Sequence, residues 1–445
     1  MDLLLVVSRY PWPPRRGDQL RAAQWIELLA PEHRITLLTP EPPPAAPVPP
    51  STRPAEGSAE LRVEHYRPAS TLGRGLAVGR RLIIGEPLQN GLFQPPALAD
   101  QLRRLAPAAD LVVLQLARLA GLERHLGDVP WAVDFIDSLS LNLERRAVFD
   151  APWLRPVLRF EARRLAAAER RLLGSAAGAL VVCPRDREAL AGLFDGEPAA
   201  GAAQSVGVRG LSPRGLDVLP LAFPLRQTAD SSLPESPGGA GSGDGEDGTS
   251  APPTVCMTGN LGYFPAVDGF GWWLEEVLPR LRRRVPQVRV VLAGARPAAS
   301  LRRKARAAGA ELVASPPDLV AILRSADVAL APLRCGSGQP LKILEAWQAG
   351  KPVVASPWAA AGTTSKASKA PRQPEASSER EGMLVAETPE QWADAVAELL
   401  KDAAARDRLA AEGREVLVRD YGRKTVAAGL EKWLQGCVSG SPKET

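Results

Sequence analysis

The sequence predicts an α/β protein built from two Rossmann-like, doubly wound domains that face each other across a cleft. Three observations carry this prediction: strand and helix patterns alternate along the first half of the chain, the alternation starts afresh in the second half, and a polar tract separates the halves. The length of 445 residues agrees with two domains, because one hydrophobic core seldom serves more than roughly 250–300 residues.

The first half opens with a β–loop–α–β pattern. Residues 3–7 are a short apolar run typical of a buried parallel strand, and a proline-rich loop follows. Apolar residues then recur at helical spacing over 19–30, and 35–39 is the next predicted strand, which indicates an open parallel sheet. The alternation continues with a helix near 96–106, strands at 111–116 and 131–136, an arginine-rich helix at 155–173, and strands at 178–182 and 218–220.

The second half repeats this alternation. Its predicted strands are 254–258, 288–293, 328–332 and 352–356, and its predicted helical segments are 270–281, 319–323, 341–348, 389–401, 403–418 and 423–434. A proline-rich segment at 40–54 and the stretch after it, to about residue 93, predict no defined element.

Composition places the domain boundaries. Residues 236–250 are rich in Gly, Ser, Asp and Glu and cannot bury apolar surface, so they are typical of a flexible linker. The predicted organisation is an N-terminal Rossmann-like domain at 1–224, a linker at 225–252, a C-terminal Rossmann-like domain at 253–422 with a polar insertion at 363–381, and a C-terminal helix with tail at 423–445 that could cross back to the N-terminal domain.

Charge and cysteine usage narrow the class of protein. A net charge of +5 is small for this length, so it permits an acidic substrate such as a nucleotide diphosphate and does not indicate a nucleic-acid partner. Four cysteines and three histidines lack metal-ligand or disulfide spacing, so we expect no metal and a reducing compartment. The N-terminal apolar run is too short for a signal peptide, and no run approaches the roughly 20 residues of a membrane span. The expected location is the cytoplasm, which disfavours a periplasmic binding protein.

The segment 331–346 has the pattern of an anion site. A predicted strand is followed by a Gly-Ser-Gly loop at 336–338 and then by a helix. Glycines let the backbone approach a ligand, and the N–H groups at a helix start favour a diphosphate. Lys342 adds a positive charge, and Glu345 lies roughly 10 Å along the helix from the loop, where a carboxylate suits the two hydroxyls of a ribose. An ordinary capped helix with a solvated Lys342–Glu345 pair explains the same pattern.

A wider match favours the ligand site. Gly-Ser-Gly-x-x-x-Lys-x-x-Glu-Ala at 336–346, followed by Ala-Gly-Lys-Pro-Val-Val-Ala-Ser at 349–356, closely resembles the donor-site signature of the retaining GT-B glycosyltransferases of family 4. Segments at 258–260, 291–294 and 326–332 and the motif Pro-Pro-Arg-Arg-Gly-Asp ending at Asp18 are similar as well. The arrangement particularly resembles the sugar transferases associated with exosortase-linked exopolysaccharide systems.

The resemblance implies a reaction. A sugar would pass from a nucleotide-diphosphate-sugar donor to the hydroxyl of a glycan or lipid-linked acceptor, with retention, in exopolysaccharide or cell-envelope glycan synthesis. The donor is a substrate, so neither a cofactor nor a metal is expected. The C-terminal domain would bind the donor and the N-terminal domain the acceptor.

The resemblance also assigns residues. Lys342 and Glu345 would be catalytic: Glu345 would bind the ribose, and Lys342 with the glycine loop would bind the diphosphate. The full set of donor-binding candidates is Gly17, Gly259, Arg296, Gly336, Ser337, Gly338, Lys342 and Glu345. A turn glycine at position 17 and a solvated arginine at position 296 are the simpler explanations of those two residues.

One departure from that family keeps two other functions open. Many members carry a glutamate that holds the sugar at the position of Ser337. A non-catalytic nucleotide-sugar-binding or scaffold protein is therefore an alternative, and a nucleotide-sugar epimerase is another. An epimerase is expected to carry more histidine and carboxylate groups for proton abstraction than this chain does.

Asp18 and Asp137 are the candidate contacts for the acceptor. Asp137 follows Asp134 at the end of a predicted strand that faces the expected cleft, although an Asp-Ser pair there is also a good helix cap.

The helix at 155–171 carries six arginines and could contact the inner face of an anionic membrane. A solvent-exposed helix face with many charges is the more ordinary interpretation.

Overall fold

The computed structural model describes residues 1–43, 61–194, 215–223, 251–364, 366–369 and 377–439. The chain divides into two compact units, the first formed by Met1–Ala222 with Arg423–Thr445 and the second by Phe223–Gly422. Residues 225–250 of the predicted linker lie outside the described residues. No helix in the described ranges is long and apolar enough to cross a bilayer.

The first unit is a seven-stranded sheet with the order β3-β2-β1-β4-β5-β6-β7, and every pair of neighbouring strands is parallel. Its strands are β1 (Asp2–Val6), β2 (Arg34–Pro40), β3 (Leu61–Tyr66), β4 (Leu111–Gln115), β5 (Trp131–Ile136), β6 (Ala179–Val181) and β7 (Leu216–Val218). Its helices are α1 (Gly17–Leu29), α2 (Thr71–Ile83), α3 (Leu88–Phe93), α4 (Pro96–Leu105), α5 (Leu139–Phe149), α6 (Arg155–Ser175), α7 (Pro184–Ala191) and, at the end of the chain, α16 (Arg423–Ser439).

Both faces of this sheet are covered, as the continuous apolar strands require. On β1, Leu3 and Leu5 belong to a core cluster that includes residues of α1 and α16, whereas Leu4 and Val6 belong to a second cluster with residues of α4. Two rings join α1 to α16, since the centroids of Trp25 and Trp433 are 5.8 Å apart. The C-terminal helix is thereby part of the first unit.

Asp134 corrects an interpretation made from the sequence. It does not face a cleft beside Asp137, because its side chain is completely buried. Its Oδ2 atom accepts a hydrogen bond of 2.8 Å from Nε of Arg21, which is buried as well, and Arg21 also donates to the carbonyl of Pro220 at 3.0 Å. The neighbouring Ser138 caps α5, with its hydroxyl accepting from the Leu141 N–H at 3.2 Å.

The second unit is an eight-stranded sheet with the order β10-β9-β8-β11-β12-β15-β14-β13. Its strands are β8 (Thr254–Asn260), β9 (Arg289–Ala295), β10 (Glu311–Ala314), β11 (Val328–Ala331), β12 (Val353–Ala355), β13 (Ala367–Lys369), β14 (Ser378–Arg380) and β15 (Met383–Val385). Its helices are α8 (Phe264–Trp272), joined through a π-helical turn (Trp273–Val277) to α9 (Leu278–Arg284), then α10 (Ala299–Ala307), α11 (Leu319–Arg324), α12 (Leu341–Gln348), α13 (Pro357–Ala360), α14 (Pro389–Lys401) and α15 (Ala403–Tyr421).

The two sheets follow the same plan. In each unit, the first strand along the chain pairs on one side with the second, which in turn pairs with the third. All later strands lie on the other side of the first strand. Only β14 departs from the parallel arrangement, since it pairs antiparallel with both β15 and β13. The predicted α/β class with two doubly wound domains is therefore confirmed.

Candidate functional site

Each sheet has one point at which the order of its strands reverses. It lies between β1 and β4 in the first unit and between β8 and β11 in the second. In open α/β sheets, ligands bind outside the carboxyl ends of the strands at this point, because the connections on either side leave in opposite directions and open a crevice. Gly259 is the penultimate residue of β8, and the glycine loop at 336–338 follows β11. In the first unit, Arg9 follows β1 and Arg118 follows β4.

The glycine loop is held by its neighbours. Gly336 has a φ of 108° and Gly338 a φ of 72°, conformations that side chains of other residues rarely adopt. The indole N–H of Trp358 donates to the Gly336 carbonyl at 3.1 Å, and the Ser356 hydroxyl donates to the carbonyl of Leu333. The backbone of the loop is thereby ordered by contacts within the second unit, without a ligand.

An arginine that the sequence did not single out also braces this loop. Arg334 forms a bidentate pair with Asp268 of α8, with distances of 2.9 Å from Nε and 2.6 Å from Nη2. Its guanidinium lies 5.5 Å from the centre of the Trp272 ring. The two residues are 66 positions apart in the chain, so sequence spacing gave no signal for the pair.

Lys342 lies in the first turn of α12 and comes close to the end of β8. Its Nζ atom is 3.7 Å from the position that a Cβ at Gly259 would occupy, and 5.8 Å from the centre of the Phe270 ring. The distance of 3.7 Å is an ordinary van der Waals contact, so it is the φ of 136° at Gly259, and not a lack of space, that favours glycine there. Burial lowers the pKa of the Lys342 ammonium to about 8, against the opposing charge of Glu345. The ammonium of Lys342 is therefore poorly solvated, and a bound anion would stabilise its charged form.

The remaining donor-site candidates of the second unit lie around this centre. Glu345 is partly buried on α12, three residues after Lys342, and Ser337 is partly buried at the tip of the loop. Arg296 follows β9 with a φ of 51° and is exposed, without a hydrogen-bond or ion-pair partner among the described residues. The structure thus brings Gly259, Lys342 and Glu345 together and leaves Arg296 at the rim.

In the first unit, Gly17 is the first residue of α1 and borders open space, since a Cβ there would meet nothing within 4 Å. Asp18 follows it, but its carboxylate is engaged. Its Oδ2 atom accepts a hydrogen bond from Nη1 of Arg9 and lies 3.8 Å from Nη1 of Arg118. Asp18 is therefore one member of a charged cluster at the start of α1.

Arg118 is the member of this cluster that sequence reasoning missed. It is only 7% exposed, and its Nε and Nη1 atoms have no hydrogen-bond partner among the described residues. It shares the ring of Phe93 with Arg9, their guanidinium carbons lying 4.5 Å and 5.0 Å from the ring centre. Burial lowers the pKa of Arg118 to about 10, and Arg9 acts in the same direction, while the charges of Asp18 and Asp137 oppose it.

Backbone geometry directs Arg118 to this position. Leu116, at the end of β4, has a φ of 76°, which a leucine rarely adopts, and the chain turns sharply there before Arg118. Strained backbone of this kind is concentrated at functional sites. A basic residue directly after a buried strand was the signal that could have found it.

Comparisons with known proteins identify a family model and similar folds. Residues 252–402 match the model of the family described as glycosyl transferases group 1. This segment runs from β8 to α14 and contains the glycine loop, Lys342 and Glu345. No curated protein matches the chain in sequence.

Solved structures with similar folds cover nearly the whole chain. Sucrose-phosphate synthase from Thermosynechococcus elongatus is 16% identical with a TM-score of 0.61, covering 99% of this chain and 100% of that one. HepE from Anabaena, in complex with UDP-glucose, is 12% identical with a TM-score of 0.57, covering 98% and 99%. A UDP-forming α,α-trehalose-phosphate synthase from Burkholderia xenovorans is 15% identical with a TM-score of 0.58, covering 97% and 98%. The fold is that of the GT-B glycosyltransferases.

Proposed function

We propose that the chain is a glycosyltransferase that moves a sugar from a nucleotide-sugar donor to an acceptor hydroxyl, with retention at the anomeric carbon and without a metal ion. The observation that carries the proposal is Lys342, half-buried beside Gly259 at the carboxyl end of β8 in a segment that matches the group 1 glycosyl transferases. Because HepE is described in complex with UDP-glucose, a UDP-sugar is the first donor to test.

In this proposal the donor diphosphate lies at the glycine loop and the first turn of α12. Backbone N–H groups and Lys342 stabilise the negative charge that develops on the departing diphosphate, and the Glu345 carboxylate accepts hydrogen bonds from the ribose hydroxyls. Arg296 contacts the base or a phosphate. The departing phosphate accepts the proton of the acceptor hydroxyl, so the reaction needs no separate protein base.

We further propose that the acceptor is anionic. Arg118 is buried with two nitrogen atoms that lack hydrogen-bond partners among the described residues, and Arg9 shares its aromatic neighbour. Asp18 and Asp137 then serve the acceptor side by balancing these charges, not by contacting a sugar. A phosphate of a lipid-linked glycan satisfies both arginines, which suits a cytoplasmic step of exopolysaccharide or cell-envelope glycan synthesis.

A donor screen followed by product analysis tests the proposal. Thermal shift with a set of nucleotide-sugars identifies the donor, because a ligand that binds the folded state raises the melting temperature. Release of nucleoside diphosphate that depends on a lipid-linked phosphate acceptor, with a product of retained configuration, is the expected result. Binding with neither transfer nor hydrolysis would favour a non-catalytic binding protein, the alternative that Ser337 keeps open. Conversion of the donor into a stereoisomeric nucleotide-sugar, without an acceptor and without release of nucleoside diphosphate, would indicate an epimerase.

Donor affinity is expected to depend on pH through Lys342. Its pKa of about 8 means that the unliganded protein loses this charge as the pH rises through 8. A diphosphate binds the charged form, so binding takes up a proton above that pH. Titration calorimetry with UDP should give up to about a tenfold rise in Kd per pH unit above about pH 8, where the phosphates of UDP are already fully ionised. Lys342→Met should bind UDP more weakly and lose this dependence; an equal pH dependence in both proteins would contradict the assignment.

A further inference from the structure

Exposed apolar side chains are concentrated in one part of the first unit. All but three of the large exposed apolar residues in the described ranges lie between residues 72 and 160. On α2, Leu72, Leu76 and Ile83 are 76%, 69% and 86% exposed, and no residue of that helix is buried. Their spacing places all three on one side of the helix. An amphipathic helix normally turns such a stripe towards the core, whereas this one turns it to solvent.

The apolar surface continues onto α6. Arg164 of α6 donates to the carbonyl of Leu82 at 2.9 Å and to that of Glu86 at 3.2 Å, which ties the end of α2 to α6. The guanidinium of Arg164 lies 4.0 Å from the ring centre of Phe160, one turn earlier. At helical spacing before it come two more exposed apolar side chains, Val157 and Trp153, which are 55% and 75% exposed. We call the outer surface of α2 and residues 153–163 the α2–α6 face.

This face is cationic. Two exposed arginines that border the apolar side chains, Arg80 and Arg163, have no ion-pair partner among the described residues. The acidic residues of α6 are turned inward instead. Glu161 accepts from the N–H groups at the start of α3, and Glu169 accepts from those at the start of α5, so both carboxylates are buried.

We propose that the α2–α6 face docks on an anionic lipid bilayer. The apolar side chains enter the headgroup region, and the arginines contact lipid phosphates. Anionic lipid complements this face in both respects. A second copy of the chain would cover the apolar stripe, but a two-fold dimer would set the arginines of one copy against those of the other. The inference goes beyond the proposed transfer reaction and does not depend on it.

Sedimentation of the full chain with vesicles tests the docking. We expect binding to vesicles that contain phosphatidylglycerol, weak binding to pure phosphatidylcholine, and release by salt. Leu76→Ser with Ile83→Ser should weaken binding by at least about tenfold, and each of Arg80→Gln and Arg163→Gln by about fivefold. Val418→Ser is the matched control, since Val418 is 53% exposed on α15 of the other unit. All these positions are exposed, so unchanged melting temperatures are expected.

Fluorescence provides a second readout. Trp153 is the only exposed residue among the ten tryptophans, all of which lie in the described ranges. Brominated phospholipids should therefore quench wild-type emission, and Trp153→Phe should abolish most of that quenching. The proposal is overturned if anionic vesicles bind no better than neutral ones, if the double serine variant binds as tightly as the wild type, or if the chain is a dimer that Ile83→Ser dissociates.

Discussion

Replacing Lys342 or Glu345 by alanine is expected to lower kcat/KM for sugar transfer by about 10²–10³ each, the usual effect of removing one group that stabilises developing charge or positions the donor. Lys342→Ala should lower kcat as well as donor affinity, because the ammonium acts on the leaving diphosphate. Glu345→Ala should act mainly on donor affinity, because ribose binding is the same in the ground state and the transition state. Steady-state kinetics with the donor found by thermal shift measure both effects.

A measurement of folding stability distinguishes this loss of activity from misfolding of the variant. The pKa of Lys342 is lowered in the folded protein, so its charged form is disfavoured there relative to the unfolded chain. This penalty is present in full below about pH 8 and disappears as the pH rises through the unfolded value near 10.4. Lys342→Met should therefore be at least as stable as the wild type at pH 7, although it is inactive. A large loss of stability there would contradict the assignment of the lysine to function.

A matched pair of controls lies on α14. Glu398 and Lys401 are exposed and stand three residues apart on one helix, as Lys342 and Glu345 do, but outside the proposed site. Glu398→Ala and Lys401→Ala should keep wild-type kinetics. Near-normal donor turnover in the variants of α12 would refute the site.

Local signals explain which parts of this structure the sequence predicted. Residues 341–348 were predicted as a helix, and the structure has α12 at Leu341–Gln348, because glycine punctuation and apolar spacing are both read over a few residues. α2 was missed because Gly73, Gly75 and Gly79 lower its helix propensity. β13 and β14 were missed within the polar insertion because their short, polar sequences resemble a loop.

In the candidate site, too, the sequence predicted the residues that a local pattern connects and missed the others. Lys342 and Glu345 were found because both lie on the helix that follows the glycine loop. Arg118 was not, since its environment depends on Phe93 and Arg9, which come from other parts of the chain. Asp134 was misread for a related reason: a carboxylate at a strand end looks functional until its buried partner is known. Pairings distant in sequence are set by tertiary packing, which leaves no local pattern.

The buried pair of Arg21 and Asp134 gives the largest expected effect on stability. Both side chains are 1% exposed and are joined at 2.8 Å. Removing one partner leaves the other charge buried without compensation, which costs about 3–5 kcal/mol. Arg21→Met and Asp134→Ala should each lower the free energy of unfolding by this amount, measured by urea denaturation followed through far-ultraviolet circular dichroism.

An exposed pair and a double variant show whether burial is the cause. Arg289 and Glu311 form an ion pair at 2.6 Å, but they are 53% and 46% exposed. Arg289→Met should therefore lower the free energy of unfolding by less than about 1 kcal/mol. Arg21→Met combined with Asp134→Leu should recover most of the loss, because no isolated charge then remains buried. Equal costs for the buried and the exposed single variants would show that the pair is solvated. In that case Asp134 would again be available to a ligand at the end of β5.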